Sequence, residues 1–161
     1  MVMDERAHNL YMGKALRQAT VGFSKEEVPV GAVIVGKDGR VLSRAHNQIE
    51  KKGCQTAHAE VLAINKACRK VGDWRLDDCW LYVTLEPCLM CFGLIKLSRM
   101  KGVVFGAKSS LFGIGFGREV GVPLFYKKDL LVVGGVREDE CCGILKEFFR
   151  LVRKKHIKKD K

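Results

Sequence analysis

Two cysteines separated by two residues, Cys88 and Cys91, lie in the stretch EPCLMC at residues 86–91. Such a pair by itself is compatible with a redox dithiol, half of a zinc site, a disulfide or two buried thiols. A helix that begins at Pro87 puts both sulfurs on one helix face, near the positive end of the helix dipole, where thiolates are favoured. The choice between a metal site and the other possibilities therefore depends on further ligands elsewhere in the chain.

His58 offers a third metal ligand beside the cysteine pair, and Glu60 offers a group that can transfer protons. The segment TAHAEVLAINKACRKVG, residues 56–72, is predicted to be a helix with Thr56 as its N-cap, which places both residues near the first turn. One histidine and two thiolates make three protein ligands, and a catalytic zinc typically keeps its fourth position open for water. Glu60 would then take a proton from that water and deliver it to a leaving amine.

Each of these residues also has an ordinary structural explanation. A histidine can be a satisfied core side chain, and a glutamate in a first turn can simply complement the helix dipole. The combination H-x-E followed by P-C-x-x-C is far more specific, because it is the signature of zinc-dependent nucleobase deaminases. The sequence therefore favours a zinc site formed by His58, Cys88 and Cys91, with Glu60 as the catalytic proton-transfer residue.

Composition restricts the class of protein. The chain has 161 residues, of which 47% are hydrophobic, so a folded domain is expected and disorder is not. No apolar run reaches the roughly 18 residues of a membrane helix, and the charged N-terminus lacks the apolar block of a secretory signal. An odd number of cysteines, seven, favours reduced thiols in the cytoplasm. We predict a single cytoplasmic domain over residues 1–161, with no membrane contact.

Hydrophobic periodicity and turn residues predict the elements that position these side chains. The prediction places helices at about 4–22, 56–72, 87–99 and 138–161, and strands at 28–36, 40–47, 79–86, 102–108 and 129–136. Residues 109–128 remain as a long connection that contains several glycines. This order predicts an α/β fold, a three-layer α/β/α sandwich with a mixed five-stranded sheet.

The charge is strongly positive and concentrated at the C-terminus. The net charge is +11, and residues 146–161 contain eight Lys or Arg against two acidic residues. A basic helix of this kind can pair with several phosphates, which indicates a nucleic-acid partner, although a solvated helix end is the ordinary alternative. The candidate RNA contacts are Phe149, Arg150, Arg153 and Lys154, although a phenylalanine at such a position is more often a core residue than a base-stacking one.

The chain resembles the cytidine deaminase superfamily and, within it, the bacterial tRNA-specific adenosine deaminases. The segments EVPVGAVIV, TAHAEVLAI, LYVTLEPCLMC, VVFGAK and ECCGILKEFFR carry the resemblance over nearly the full length. It implies a cytidine-deaminase-like sandwich, one zinc ion per subunit, a homodimer and a tRNA anticodon stem-loop as partner. The implied reaction is hydrolytic deamination of the wobble adenosine to inosine, typically in an arginine tRNA.

The same resemblance assigns residues to the substrate pocket. Asn47 would hydrogen-bond the flipped nucleotide, and Val30, with the backbone near Ala59 and Pro87, would line the base pocket. Water activated by zinc would attack C6 of adenine while Glu60 protonates N1 and helps to expel ammonia. Asn47 could instead end a strand, and Val30 belongs to the core in any case.

One segment departs from the family pattern, and two other functions stay open. Where the family often has an aspartate and a loop of small residues, this chain has Ser109 and Ser110 followed by LFGIGFG, so its RNA contacts can differ.

The first alternative function is that of a deaminase of a free base or nucleoside such as cytosine, cytidine or guanine. The second is an RNA-binding protein with a structural zinc, which requires a fourth ligand such as Cys54 or a C-terminal cysteine and leaves Glu60 unexplained.

Overall fold

A computed structural model describes residues 3–113, 115 and 130–159 of the chain. In chain order, the elements are α1 (Glu5–Ser24), β1 (Gly31–Val35), β2 (Val41–His46), α2 (Ile49–Lys52), α3 (Ala59–Val71), β3 (Trp80–Leu85), α4 (Leu89–Leu97), β4 (Gly102–Ala107), β5 (Leu131–Val133) and α5 (Glu138–Lys159). None of the helices in these residues is long and apolar enough to cross a membrane.

The five strands form one mixed sheet in the order β2-β1-β3-β4-β5. Strand β1 is antiparallel to both of its neighbours, whereas β3, β4 and β5 are parallel to one another. The predicted mixed five-stranded sheet is therefore confirmed. Because β1 runs against its neighbours, its first residue lies at the same edge of the sheet as the last residues of β2 and β3.

Helices cover both faces of this sheet. Every residue of β1 is buried, and successive side chains point to opposite faces. Val33 packs with Met12 of α1 in one core cluster, and Ile34 packs with Ile64 of α3 in the other. Helix α5 joins the first cluster and α4 the second, so the predicted three-layer sandwich is confirmed.

The two helices that carry the predicted metal ligands begin later than their sequences suggest. Helix α3 begins at Ala59, so its N-cap is His58 and not Thr56. The hydroxyl of Thr56 lies 3.0 Å from the sulfur of Cys54, within the turn that precedes the helix. The prediction of Thr56 as the cap was therefore wrong.

Helix α4 begins at Leu89, so Cys88 is its N-cap and Pro87 precedes the helix instead of starting it. Both His58 and Cys88 have extended backbone at these caps, and neither side chain caps its own helix. An N-cap residue whose side chain does not fold back onto its helix can direct that side chain elsewhere. The short helix α2 was not predicted either, since four residues are too few for a recognisable periodicity.

Two further expectations concern the second half of the chain. The strand expected at 129–136 is shorter and ends at Val133, because Gly135 follows with a positive φ of 81°. Of the long connection expected at 109–128, residues 109–113 and 115 are described and the rest lies outside the described residues.

At Gly31 the backbone of β1 packs directly against the backbone of α1. A Cβ atom at this position would collide with the carbonyl oxygen of Ala15 and the backbone nitrogen of Ala19, two backbone atoms that cannot rotate away. We expect Gly31→Ala to lower the free energy of unfolding by about 1–3 kcal/mol, the usual cost of overpacking. Gly143→Ala, in a helix position with open space around it, should raise it by about 0.5–1 kcal/mol. Urea titrations of both variants would measure these changes in the free energy of unfolding. The same change in both variants would contradict a specific close contact of Gly31 with α1.

Candidate active site

The site is built at the sheet edge where β1 begins and β2 and β3 end. The buried hydroxyl of Thr84, near the end of β3, accepts a hydrogen bond from the backbone N–H of Gly31 at 3.1 Å. The backbone N–H of Asn47, just after β2, donates to the carbonyl oxygen of Val30 at 2.9 Å. These bonds place Val30 and Asn47 beside the segment that follows β3, which contains Cys88.

Helix α3 brings His58 to the same edge. The backbone N–H of Gln48 donates to the carbonyl oxygen of Ala57 at 3.0 Å, so the chain returns beside the end of β2 directly before the helix begins. The Ser43 hydroxyl on β2 donates to the carbonyl of Ala63 at 2.7 Å and holds α3 against the sheet. The N-terminus of α3 therefore faces the N-terminus of α4.

The three predicted metal ligands converge. Nδ1 of His58 lies 3.4 Å from the sulfur of Cys91 and 3.8 Å from the sulfur of Cys88, and all three ligand atoms lie within 4.8 Å of one another. Tetrahedral zinc with bonds of roughly 2.0–2.3 Å separates such ligand atoms by about 3.6 Å. The residues present therefore fit a zinc ion bound through Nδ1 and two sulfurs.

No fourth His, Cys, Asp or Glu joins this group among the described side chains, which include all seven cysteines. Cys54, the alternative ligand suggested by the sequence, is exposed and contacts Thr56 instead. Cys141 is buried in the cluster of core residues around α1. Three protein ligands with a remaining position are typical of catalytic zinc, whereas structural zinc usually has four.

Hydrogen bonding within the group favours the thiolate form of one of its two cysteines. The pKa of Cys88 falls to about 4, because Cys91 and His58 hydrogen-bond to its sulfur. The same bond to Cys88, together with burial, raises the pKa of Cys91, and the bond to Cys88 also raises the pKa of His58. A cation at the centre of the group would displace protons from these ligands and favour both thiolates.

Glu60 lies in the first turn of α3, two residues after His58, and is only 4% exposed. Burial raises the pKa of its carboxyl group, with hydrogen bonds and the charge of His58 acting in the opposite direction. A raised pKa makes a carboxylate a better proton acceptor, which suits a general base that later acts as an acid. Its place beside the metal group is therefore suited to proton transfer.

The residues predicted to line the base pocket also meet at this edge. Val30, Ala59 and Pro87 are buried, and Asn47 is buried with its side-chain Nδ2 3.3 Å from a carboxylate oxygen of Glu27. Glu27 was not among the predicted site residues. It lies four positions before β1, and acidic residues are mostly exposed, so its burial has no distinct signal in the sequence.

The four predicted RNA contacts lie on α5, and none of them belongs to the metal group. Phe149 is half-exposed, with its ring edge-to-face against buried Phe148. Arg150 forms two hydrogen bonds with Glu147, of 2.7 and 2.6 Å, so its charge is already partly compensated. Arg153 and Lys154 are exposed.

Helix α5 contacts the end of α1 and the segment between α1 and β1. Phe148 packs edge-to-face on Phe23 of α1, with ring centroids 5.7 Å apart. Lys155 forms an ion pair with Glu26, one residue before Glu27. The basic helix is thus connected to the α1–β1 segment and, through it, to the start of β1.

Comparison with known proteins decides the family. Residues 5–107 match the cytidine and deoxycytidylate deaminase zinc-binding region, a range that includes His58, Glu60, Cys88 and Cys91. The chain belongs to this deaminase family. This deaminase is also 45% identical over 156 residues to the tRNA-specific adenosine deaminase of Bacillus subtilis, covering 96% of this chain and 94% of the relative.

Solved structures agree with this assignment. One, from studies of A-to-I editing by tRNA A34 deaminases at the wobble position of transfer RNA, is 38% identical, covers 83% of this chain and 97% of its own, and has a TM-score of 0.75. Another, a guanine deaminase from Bacillus subtilis, is 37% identical, covers 72% and 78% of the two chains, and has a TM-score of 0.62. The resemblance inferred from the sequence motifs is confirmed.

Proposed function

We propose that this deaminase converts adenosine to inosine at the wobble position of a tRNA anticodon, in an arginine tRNA, with one zinc ion per chain. The observation that carries the proposal is a buried glutamate, Glu60, beside a group of three metal ligands. The nearly full-length similarity to a tRNA-specific adenosine deaminase supports the choice of substrate. We also propose that residues 1–161 form one catalytic domain with a basic C-terminal helix.

In this proposal, His58, Cys88 and Cys91 hold the zinc ion, which when bound activates a water molecule as the nucleophile. Glu60 accepts a proton from the attacking water and delivers it to N1 of adenine. Glu60 then takes a second proton, from the hydroxyl that the attack has placed on C6, and transfers it to the departing amine. The C6–N bond breaks, the C6 carbonyl forms and ammonia leaves. Its burial supports this role, because a dry site strengthens the interaction with the charge that develops on the base.

The pocket residues orient the base in front of these groups. We assign a hydrogen bond with the substrate to Asn47, and we assign the pocket wall to Val30, Pro87 and the backbone of Ala59. An anticodon nucleotide lies in a single-stranded loop, so turning it into the pocket costs less than extracting a base from a duplex. This lower cost favours a tRNA loop over duplex nucleic acid.

We also propose that the enzyme is a homodimer. Leu89, Met90 and Leu97 on α4 are 66%, 41% and 69% exposed, and a group of large apolar side chains on one helix is typical of an interaction surface. A second copy of the chain is the partner that the family resemblance implies. A mass in sedimentation equilibrium of twice the chain mass of 18.0 kDa would support the homodimer.

The cytoplasmic location remains a prediction from the cysteine content.

The deciding experiment compares substrates for the zinc-loaded protein. They are an arginine tRNA with an A-C-G anticodon, the same tRNA with its wobble adenosine replaced, and free adenosine, cytidine, cytosine and guanine. Inosine at the wobble position only would support the proposal. Ammonia from a free base or nucleoside only would support the alternative, for which the similarity to a guanine deaminase makes guanine the first candidate.

The basic end of α5 should contribute to RNA affinity by pairing with phosphates. Removing residues 154–161 eliminates five lysines, so we expect weaker tRNA binding and a flatter dependence of affinity on salt, by roughly 0.7–0.9 in log–log slope for each phosphate that the protein no longer neutralises. Filter-binding titrations at several salt concentrations would measure the slope. Lys101→Ala, at the opposite sheet edge beside Asp78, should leave it unchanged. An unchanged slope after truncation would show that the helix end does not contact phosphates.

A further inference from the structure

We propose that Glu27 is a positioning residue for the base pocket, acting through Asn47. Its carboxylate fixes the orientation of the Asn47 side-chain amide, so that the nitrogen is directed into the protein and the carbonyl oxygen is left to accept a hydrogen bond from the substrate. This inference rests on the proposed role of Asn47 in substrate binding.

The burial and partners of Glu27 carry the proposal. Its side chain is 1% exposed, and a buried carboxylate is tolerated only when its oxygens are hydrogen-bonded. Oε1 accepts from the backbone N–H of Lys51 at 2.8 Å, and Oε2 accepts from the backbone N–H of Glu50 at 3.1 Å. Oε2 also accepts from Nδ2 of Asn47 at 3.3 Å.

The chemistry of the two groups determines the orientation. An asparagine amide has a donating end and an accepting end, and its two orientations are similar in shape. Because backbone N–H groups engage both oxygens of Glu27, the carboxylate acts as an acceptor and only the NH₂ end of Asn47 can face it. The backbone of Asn47 is held separately by its bond to Val30. Only the side-chain orientation is therefore left for Glu27 to decide.

A purely structural role is the competing explanation. The two backbone contacts of Glu27 hold the start of α2, and losing them could disturb the fold without any specific effect on the substrate. A useful test must therefore separate the bond to Asn47 from the bonds to α2.

Glu27→Gln weakens the bonds to α2 as well as the bond to Asn47, and the double-mutant cycle with Asn47→Ala then separates the two effects. Glutamine keeps the size of the side chain but replaces one acceptor oxygen with an NH₂ group, which cannot accept from Asn47 or from the backbone. We expect kcat/KM for the tRNA to fall about 10- to 100-fold, mainly through KM, with zinc content unchanged. Glu27→Asp keeps both acceptor oxygens and should recover part of the loss. Glu50→Gln alters an exposed side chain on the same short helix and should match the unmodified protein.

A double-mutant cycle tests whether Glu27 acts through Asn47. If it does, Glu27→Gln should change kcat/KM less than twofold in an Asn47→Ala background. An equal loss in both backgrounds would overturn the proposal and assign Glu27 a structural role only.

The orientation itself can be measured without any substrate. In ¹⁵N-resolved NMR spectra of the zinc-loaded protein, the Asn47 side-chain amide, identified by its absence in Asn47→Ala, should exchange slowly with solvent. We expect this amide to exchange faster in Glu27→Gln. In Glu27→Asp, the exchange rate should lie between those of the unmodified protein and Glu27→Gln. Rapid exchange in the unmodified protein would overturn the proposal. Slow exchange with no tRNA deamination would instead locate the failure in the proposed function.

Discussion

Glu60→Gln is expected to lower kcat for deamination by roughly 10²–10⁴-fold, the usual contribution of a general acid–base residue. The amide has nearly the same shape but cannot accept a proton from water or deliver one to the base. Because Glu60 is not among the three metal ligands, zinc content should stay unchanged. Replacing a buried carboxylate whose pKa is raised by burial should also leave the fold intact.

Three measurements on one preparation would check this result: single-turnover deamination, zinc per chain, and thermal unfolding. Glu5→Gln is a matched control, because Glu5 is also an acidic residue in the first turn of a helix but is exposed on α1. Normal turnover by Glu60→Gln would assign proton transfer to another group. Loss of zinc from the same variant would instead make Glu60 part of the metal site.

Cys88→Ser should reduce zinc to a small fraction of one ion per chain and abolish deamination. Serine offers no thiolate, and the remaining His58 and Cys91 are too few for the three-ligand site. The loss of binding should be accompanied by lower thermal stability, because metal binding free energy adds to the stability of the folded state.

The remaining cysteines are the matched controls for this experiment. Cys54→Ser and Cys142→Ser change thiols outside the metal group, so both variants should keep zinc and activity. Zinc loss in either control would reveal a fourth protein ligand and support a structural zinc. Zinc retained at full occupancy in Cys88→Ser would mean that the metal lies elsewhere.

Much of the chemistry is local in the sequence and was predictable. The spacing of His58 and Glu60, and that of Cys88 and Cys91, lies within single turns, where residue type and helix geometry together restrict the function. The strands were equally predictable, because β1, β3 and β4 are almost continuously apolar and must be covered on both faces. These features depend only on neighbouring residues.

Helix starts were less predictable, because they depend on competition between nearby partners. Thr56 is a favoured N-cap residue, but its hydroxyl contacts Cys54 and the helix begins after His58. A cap preference of about 1 kcal/mol is small enough for such a competing local contact to override it.

The amino-acid sequence by itself determined which possible metal ligands, acidic residues and apolar strands this deaminase has, and their order along the chain. The tertiary structure alone decided which of them meet. The antiparallel direction of β1 brings Val30, Asn47 and Cys88 to one sheet edge, and folding excludes Cys54 from the metal group. The contact of Glu27 with Asn47 joins residues 20 positions apart in the chain. Such contacts form only when the sheet is assembled, because neither residue carries a periodic signal for the other.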